Sequence, residues 1–173
     1  MDIFIIFLRS IHILSGIFWV GTAFFFVLFL EPTLKAAGPA GGTVMGRLTL
    51  TRFPLLMAVA SILTVVIGFV MYLIDSHGFQ ANWILSAPGI SMTIGSLAGI
   101  AAFIEGLVVQ MPASNRMAAL QKEILAAGGQ PTPAQMKEMQ SIQEKITNAS
   151  RSGAVLMLIA VLGMAIAREL GNL

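Results

Sequence analysis

The sequence predicts an all-α membrane protein: a four-transmembrane-helix bundle carrying a cytoplasmic helical hairpin between helices three and four. Three observations lead there. Of 173 residues, 57% are apolar and only 10% charged, against about 45 to 50% and 25% in a soluble domain. The apolar residues gather into four long runs. The polar stretch before the last run repeats its apolar residues at helical spacing.

The first run, residues 3–30, is apolar or aromatic apart from Arg9, Ser10, His12, Ser15 and Thr22, and as one helix would reach about 42 Å. Its opening Asp2 and its end at Glu31-Pro32 do not match a cleaved secretory signal, so a retained helix is expected. The second run, 53–74, has no charge, and Pro54 stands where a helix start tolerates it. The third, 89–111, follows Pro88, stops at Pro112 and holds Glu105 as its only ionisable group. The fourth, 152–169 once its ends are extended, is bracketed by Arg151 and Arg168, which are expected to snorkel. The whole chain reads as a single integral membrane domain.

Orientation follows from the cations. Lys35, Arg47, Arg52, Arg116, Lys122, Lys137, Lys145 and Arg151 fall in the loops after spans one and three, against Arg9 and Arg168 on the other side. That bias puts both termini outside the cytoplasm of a bacterial inner membrane. Between spans three and four, Met117, Leu120, Ile124 and Ala127, then Met136, Met139, Ile142 and Ile146, mark two amphipathic helices of a hairpin at 113–150. Gly128-Gly129 closes the first, and Thr132-Pro133-Ala134-Gln135 opens the second as a capping box. Nothing strong interrupts that second arm before the fourth span. A short helix from Thr43 to Leu50 is expected on the inner membrane surface.

Composition excludes several functions. There is no cysteine, hence no disulfide, thiolate metal site or cysteine nucleophile. The net charge of +2 is scattered, so nucleic acid is not expected as a partner. Walker, Rossmann, H-E-x-x-H and G-x-S-x-G patterns are missing. The eleven methionines are dispersed rather than paired as M-x-x-M, which suits core filling better than copper transport. Asp75 and His77 lie together, but two ligands fall short of a metal site.

The residues able to carry chemistry are few. Arg9, His12, Gly16, Trp19 and Ala23 share one stripe of helix one. An ionisable group inside a span is a functional-site hypothesis, and for His12 the alternative is a structural hydrogen bond between helices. Arg9 can snorkel outward, and Trp19 lies deep enough to be core. Glu105 is read either as a proton or cation relay or as half of an ion pair, with Arg52 the partner best matched in depth. Ser91, Gly95, Gly99, Ala102 and Gly106 form a small-residue packing stripe, suited to another span of the chain or to a second copy.

The stretch Leu8-Arg9-Ser10-Ile11-His12-Ile13-Leu14-Ser15-Gly16-Ile17-Phe18-Trp19-Val20-Gly21 is similar to the first helix of copper-resistance protein D and of HemJ-type protoporphyrinogen oxidases. With Gly41-Gly42-Thr43, Tyr72-Leu73-Ile74-Asp75-Ser76 and the polar hairpin, the whole chain resembles an uncharacterised family of small bacterial integral-membrane proteins, a domain of unknown function. The HemJ resemblance implies haem or porphyrin handling at His12. A haem b held there needs a second axial ligand: none, a methionine such as Met71, Met92 or Met164, or the His12 of a second copy. The expectation is therefore a protein of unassigned activity that binds haem b through His12. Its rivals are a non-catalytic scaffold docking a membrane-complex partner through the hairpin, and a small proton-coupled transporter, as monomer or homodimer, using Glu105 with Arg9 or His12.

Overall fold

The structure, a computed structural model, describes residues 3–171. All the regular elements among them are helices: α1 (Ile3–Ala36), α2 (Pro39–Thr49), α3 (Phe53–Asp75), α4 (Ala81–Ile84), α5 (Ala87–Ala126) and α6 (Pro133–Leu170). Four of them, α1, α3, α5 and α6, are long and apolar enough to cross a membrane, as expected of a multi-pass membrane protein. Most large apolar side chains on these helices face outward, among them Leu14, Leu55, Leu97 and Leu162. In water such a surface would aggregate, whereas lipid solvates it.

Two expected helix ends are not ends. Pro32 and Pro112 lie inside α1 and α5, which continue to Ala36 and Ala126. A proline within a helix supplies no N–H and its ring crowds the carbonyl four residues back. Here the turn before each proline is widened: Glu31 N–H bonds the Phe26 carbonyl and Met111 N–H bonds the Gly106 carbonyl, five residues back. These π turns, Phe26–Leu30 and Gly106–Gln110, let the helix pass the proline. The hairpin arms are thus extensions of spans three and four rather than separate helices. The second arm runs unbroken from Pro133 to Leu170 behind the Thr132–Gln135 capping box. Gly128 and Gly129, at φ of +104° and +83°, end the first arm as expected.

The bundle is two antiparallel pairs. In the α5–α6 seam, a Cβ built at Gly95 would stand 2.9 Å from the Ala160 carbonyl oxygen, and one at Gly163 would stand 2.9 Å from that of Ser91. Ser91 Oγ donates to the Gly163 carbonyl at 2.8 Å. The small-residue stripe is therefore used within the chain, with Gly99 in ordinary contact with Ala160. Gly106 departs from it: an added Cβ would meet nothing within 4 Å. Beyond Ala102 the position facing α6 is taken by Glu105, and Gly106 falls beside it on the wall of a cleft.

The α1–α3 seam is polar by comparison, with Thr64 Oγ1 donating to Ser15 Oγ at 2.9 Å and to the Ala60 carbonyl at 2.8 Å as alternatives. The pairs meet around buried Trp19, Ala60, Ala102 and Met157. A second core joins the extensions: Met117, Leu120 and Ile124 of one arm meet Ile142 and Ile146 of the other, with Phe26 of α1 and Met45 of α2. The apolar side of α2 is thus spent on the hairpin through Met45 and Leu48, while Val44 points out.

Candidate functional site

The described candidates separate into five places. Arg9 is exposed on α1 and has no salt bridge among the described residues, so it does not join His12. Trp19 is 7% exposed and meets Phe103 edge to face at 6.5 Å, which makes it core packing between α1 and α5. At the far end, Asp75 is half-buried and His77 exposed in a turn where His77, Gly78 and Phe79 all have positive φ. No group of three or more metal-ligating His, Asp or Glu side chains exists among the described residues.

His12 lies half-buried in the α1–α3 seam. Its Nδ1 donates to the Thr64 carbonyl at 2.8 Å, which in the neutral ring leaves the Nε2 lone pair free. That is the tautomer a metal-ligating histidine uses. The rest of the surroundings is closer to packing than to a macrocycle site. A Cβ at Gly68 would come within 2.7 Å of the imidazole Cε1, and Met164, one of the methionines considered as second ligand, belongs to the α5–α6 seam beside Gly95. One half of a haem site fits, and the other half is not built.

Glu105 is the more unusual group. It is half-buried at the last α-helical position before the Gly106–Gln110 turn. Ser152 Oγ of α6 lies 2.5 Å from its Oε1, while its Oε2 is buried and has no hydrogen-bond partner. The expected ion pair with Arg52 does not form: Arg52 is exposed at the start of α3, and no cation lies within salt-bridge distance of Glu105 among the described residues. Gly153 provides the recess, since a Cβ there would stand 3.4 Å from Oε2 and 3.7 Å from Gln110 Nε2.

Ser152 gives this carboxyl two settings. Its single hydroxyl proton has three acceptors in reach: Glu105 Oε1, the Asn148 carbonyl at 3.0 Å and the Ala149 carbonyl at 3.3 Å. When Glu105 is ionised, Ser152 donates to it. Once Oε1 is protonated, Glu105 donates to Ser152 Oγ and the hydroxyl proton turns to the Asn148 carbonyl.

A paired carboxylate that sequence reading passed over lies at the other proline. Glu31 is 1% exposed, takes Arg151 Nη2 at 2.6 Å on Oε1 and Nε at 3.3 Å on Oε2, and takes Lys35 Nζ at 2.9 Å on Oε1. Arg151 is therefore fixed to α1 rather than snorkelling. The signal was present as Glu31 and Lys35 at i and i+4, in the polar turn that follows the first run.

A cleft of about 440 Å³ opens between α1, α2, α3 and α5, with Trp19, Phe53, Met57, Phe103, Gly106 and Gln110 in its wall. No family model, curated protein or solved structure matches the chain, so the reading of these sites rests on residues and geometry.

Proposed function

We propose that this chain is a small proton-linked carrier of the bacterial inner membrane, with both termini outside the cytoplasm and Glu105 as its proton-binding group. The observation that carries this reading is the Glu105 carboxyl: within a span, with Oε2 buried and, among the described residues, bonded only by Ser152 and without a countercharge. A carboxylate so placed is costly when ionised, and a purely structural acid would be expected to hold a cation, as Glu31 does. Proton binding removes the charge, and Ser152 serves both states. Glu105 sits between Phe103 and Gly106 of the cleft wall, at a widened turn of the helix. A change in its charge therefore acts on a stretch of α5 that faces both α6 and the cleft.

The test is proton flux into liposomes containing the purified protein and a trapped pH-sensitive dye. Wild-type protein should pass protons under an imposed gradient and Glu105→Gln should lose at least tenfold of that flux, the scale of a positioned proton-transfer group being about 10² or more. Equal flux in the two proteins sinks the reading, as does wild-type protein no leakier than empty liposomes.

One observation supports haem b binding as a second reading: the free Nε2 of His12. Oxidised and dithionite-reduced spectra of protein made with adequate haem decide it, since a Soret band must vanish in His12→Ala. The scaffold reading has less to stand on, because the apolar stripes of the hairpin close on each other and on Phe26 and Met45. A docking partner would meet its polar outer face.

A further inference from the structure

A second pocket, of about 270 Å³, lies where the end of α1 meets α6, on the hairpin side of the fourth apolar run. Lys35 of α1 and Gln143, Glu144, Thr147, Asn148 and Arg151 of α6 line it, and every one of them is polar. It is smaller than the usual site for a whole small molecule, about 300 to 1,000 Å³, and its lining suits a charged group rather than an apolar one.

The five α6 residues recur at three- and four-residue steps, so they form one stripe whose order along the helix is fixed. Arg151 stands at the membrane end, directly before the fourth apolar run. Glu144 lies two turns further out, about 10 Å along the axis.

The opposite charges in this pocket do not meet. Neither Lys35 nor Arg151 is within salt-bridge distance of Glu144, whose carboxylate has a 3.4 Å contact from Gln140 Nε2. Both cations hold Glu31 behind them, yet both side chains are more than half exposed and keep donors to spare. Two buried polar atoms lie between the charged ends without a hydrogen-bond partner among the described residues: Thr147 Oγ1, in a residue 3% exposed, and Gln143 Oε1. Their chemistry follows the charges. The hydroxyl, which can donate, is one turn from Arg151, and the amide oxygen, which can only accept, adjoins Glu144.

Cations with a donor at the membrane end, then a carboxylate with an acceptor further out, are the complement of a phosphate followed outward by a primary ammonium. We infer that this pocket binds a phosphoethanolamine group, carried by a phospholipid of the hairpin-side leaflet or free as the phosphomonoester. The phosphate lies against Arg151, Lys35 and the Thr147 hydroxyl, and the ammonium donates to Glu144 and Gln143 Oε1. With Glu31 behind the two cations and Glu144 in the wall, the four charges cancel, which favours a zwitterion over a simple anion. A lipid headgroup presents its phosphate at the membrane boundary and its amine beyond it, the same order as the stripe.

The test has two arms on the full-length protein in detergent. In the first, native mass spectrometry measures the Kd of the first bound lipid for phosphatidylethanolamine and for phosphatidylglycerol with the same acyl chains. In the second, calorimetry compares free phosphoethanolamine with glycerophosphate. The ethanolamine member is expected to bind about tenfold more tightly, the scale of one charge-assisted contact. A preference in the first arm assigns the site to lipid, and one in the second arm alone assigns it to the soluble phosphomonoester. Glu144→Gln, a change at an exposed side chain, should bring the pair to parity. Thr147→Val removes an unpartnered buried hydroxyl, so it should fold at least as well and weaken both members of the pair by about threefold to tenfold. No preference in either arm overturns the proposal, as does a preference that survives Glu144→Gln or binding unchanged in Thr147→Val.

Discussion

Two carboxylates flank two π turns in this molecule, and they are treated in opposite ways. Glu31 follows the Phe26–Leu30 turn and is 1% exposed, with Arg151 on both oxygens and Lys35 on one. Glu105 precedes the Gly106–Gln110 turn and has a serine hydroxyl on one oxygen and, among the described residues, no partner on the other. The backbone device is the same in both places, a widened turn ahead of a proline. What differs is the countercharge. A buried carboxylate held by two cations ties α1 to α6, whereas one held by a single hydroxyl has a partner that can either donate to it or accept from it. The pairing, rather than the presence of an acid, sets the two sites apart.

The largest expected effect comes from breaking the paired site. Arg151→Met leaves Glu31 buried with Lys35 alone, and removing one partner of a buried pair costs about 3 to 5 kcal/mol. Arg151 and Lys35 are more than half exposed, so water restores part of that loss and about 2 to 3 kcal/mol is expected. Unfolding of the detergent-solubilised protein, followed by circular dichroism, measures it. A loss under about 0.5 kcal/mol, the worth of an ordinary surface pair, would put Glu31 in the same class as Glu105.

Next in size is the seam that seats Glu105. Gly95→Ala forces a Cβ to 2.9 Å from backbone oxygen that has no freedom to move, at a cost of about 1 to 3 kcal/mol. Gly106→Ala meets nothing within 4 Å and should be neutral or stabilising by up to about 1 kcal/mol, since alanine favours helix over glycine. Equal losses at both positions would return Gly106 to the packing stripe and remove Glu105 from its place against α6.

A smaller effect is expected at the recess itself. Gly153→Ala puts a Cβ 3.4 Å from Glu105 Oε2 and 3.7 Å from Gln110 Nε2, both flexible side-chain ends. Stability should fall by less than about 1 kcal/mol, while the surroundings of the Glu105 carboxyl change. Infrared difference spectra between acidic and alkaline pH would follow its carboxyl band, which should shift in Gly153→Ala and vanish in Glu105→Gln. A band identical to wild type in Gly153→Ala would show that the recess does not shape the carboxyl's surroundings.

Much of this architecture was legible in the sequence. Hydropathy marks the spans because lipid leaves no alternative to a satisfied helix. The capping box and Gly128-Gly129 fixed the hairpin turn, since their chemistry is local. What sequence reading missed is of one kind. Pro32 and Pro112 read as helix stops, because proline breaks a helix locally and only the carbonyl register five residues back reveals the bypass. Glu31 with Arg151, and Glu105 with Ser152, are separated by 120 and 47 positions, so depth in the membrane was the available guide. Depth nominated Arg52 for Glu105. It did not register that a serine one residue past Arg151 reaches the same level, nor that Gly153 matters as a recess rather than as a weak helix breaker.

The smallest expected effect on stability is the one that sharpens the comparison most. Glu105→Gln keeps the side chain's length and leaves an amide oxygen to accept from Ser152, so the 2.5 Å contact survives in kind. The amide NH₂ takes the place of the unpartnered Oε2, exchanging one unsatisfied buried polar group for another. No cation is stranded, because none among the described residues is paired with Glu105. Stability should therefore stay within about 1 kcal/mol of wild type, the scale of one neutral hydrogen bond, while proton flux is lost. A loss as large as that of Arg151→Met would mean that the Glu105 charge is itself holding the helices together. The two carboxylates would then be two structural sites with different partners, and the proton reading would have no acid left to stand on.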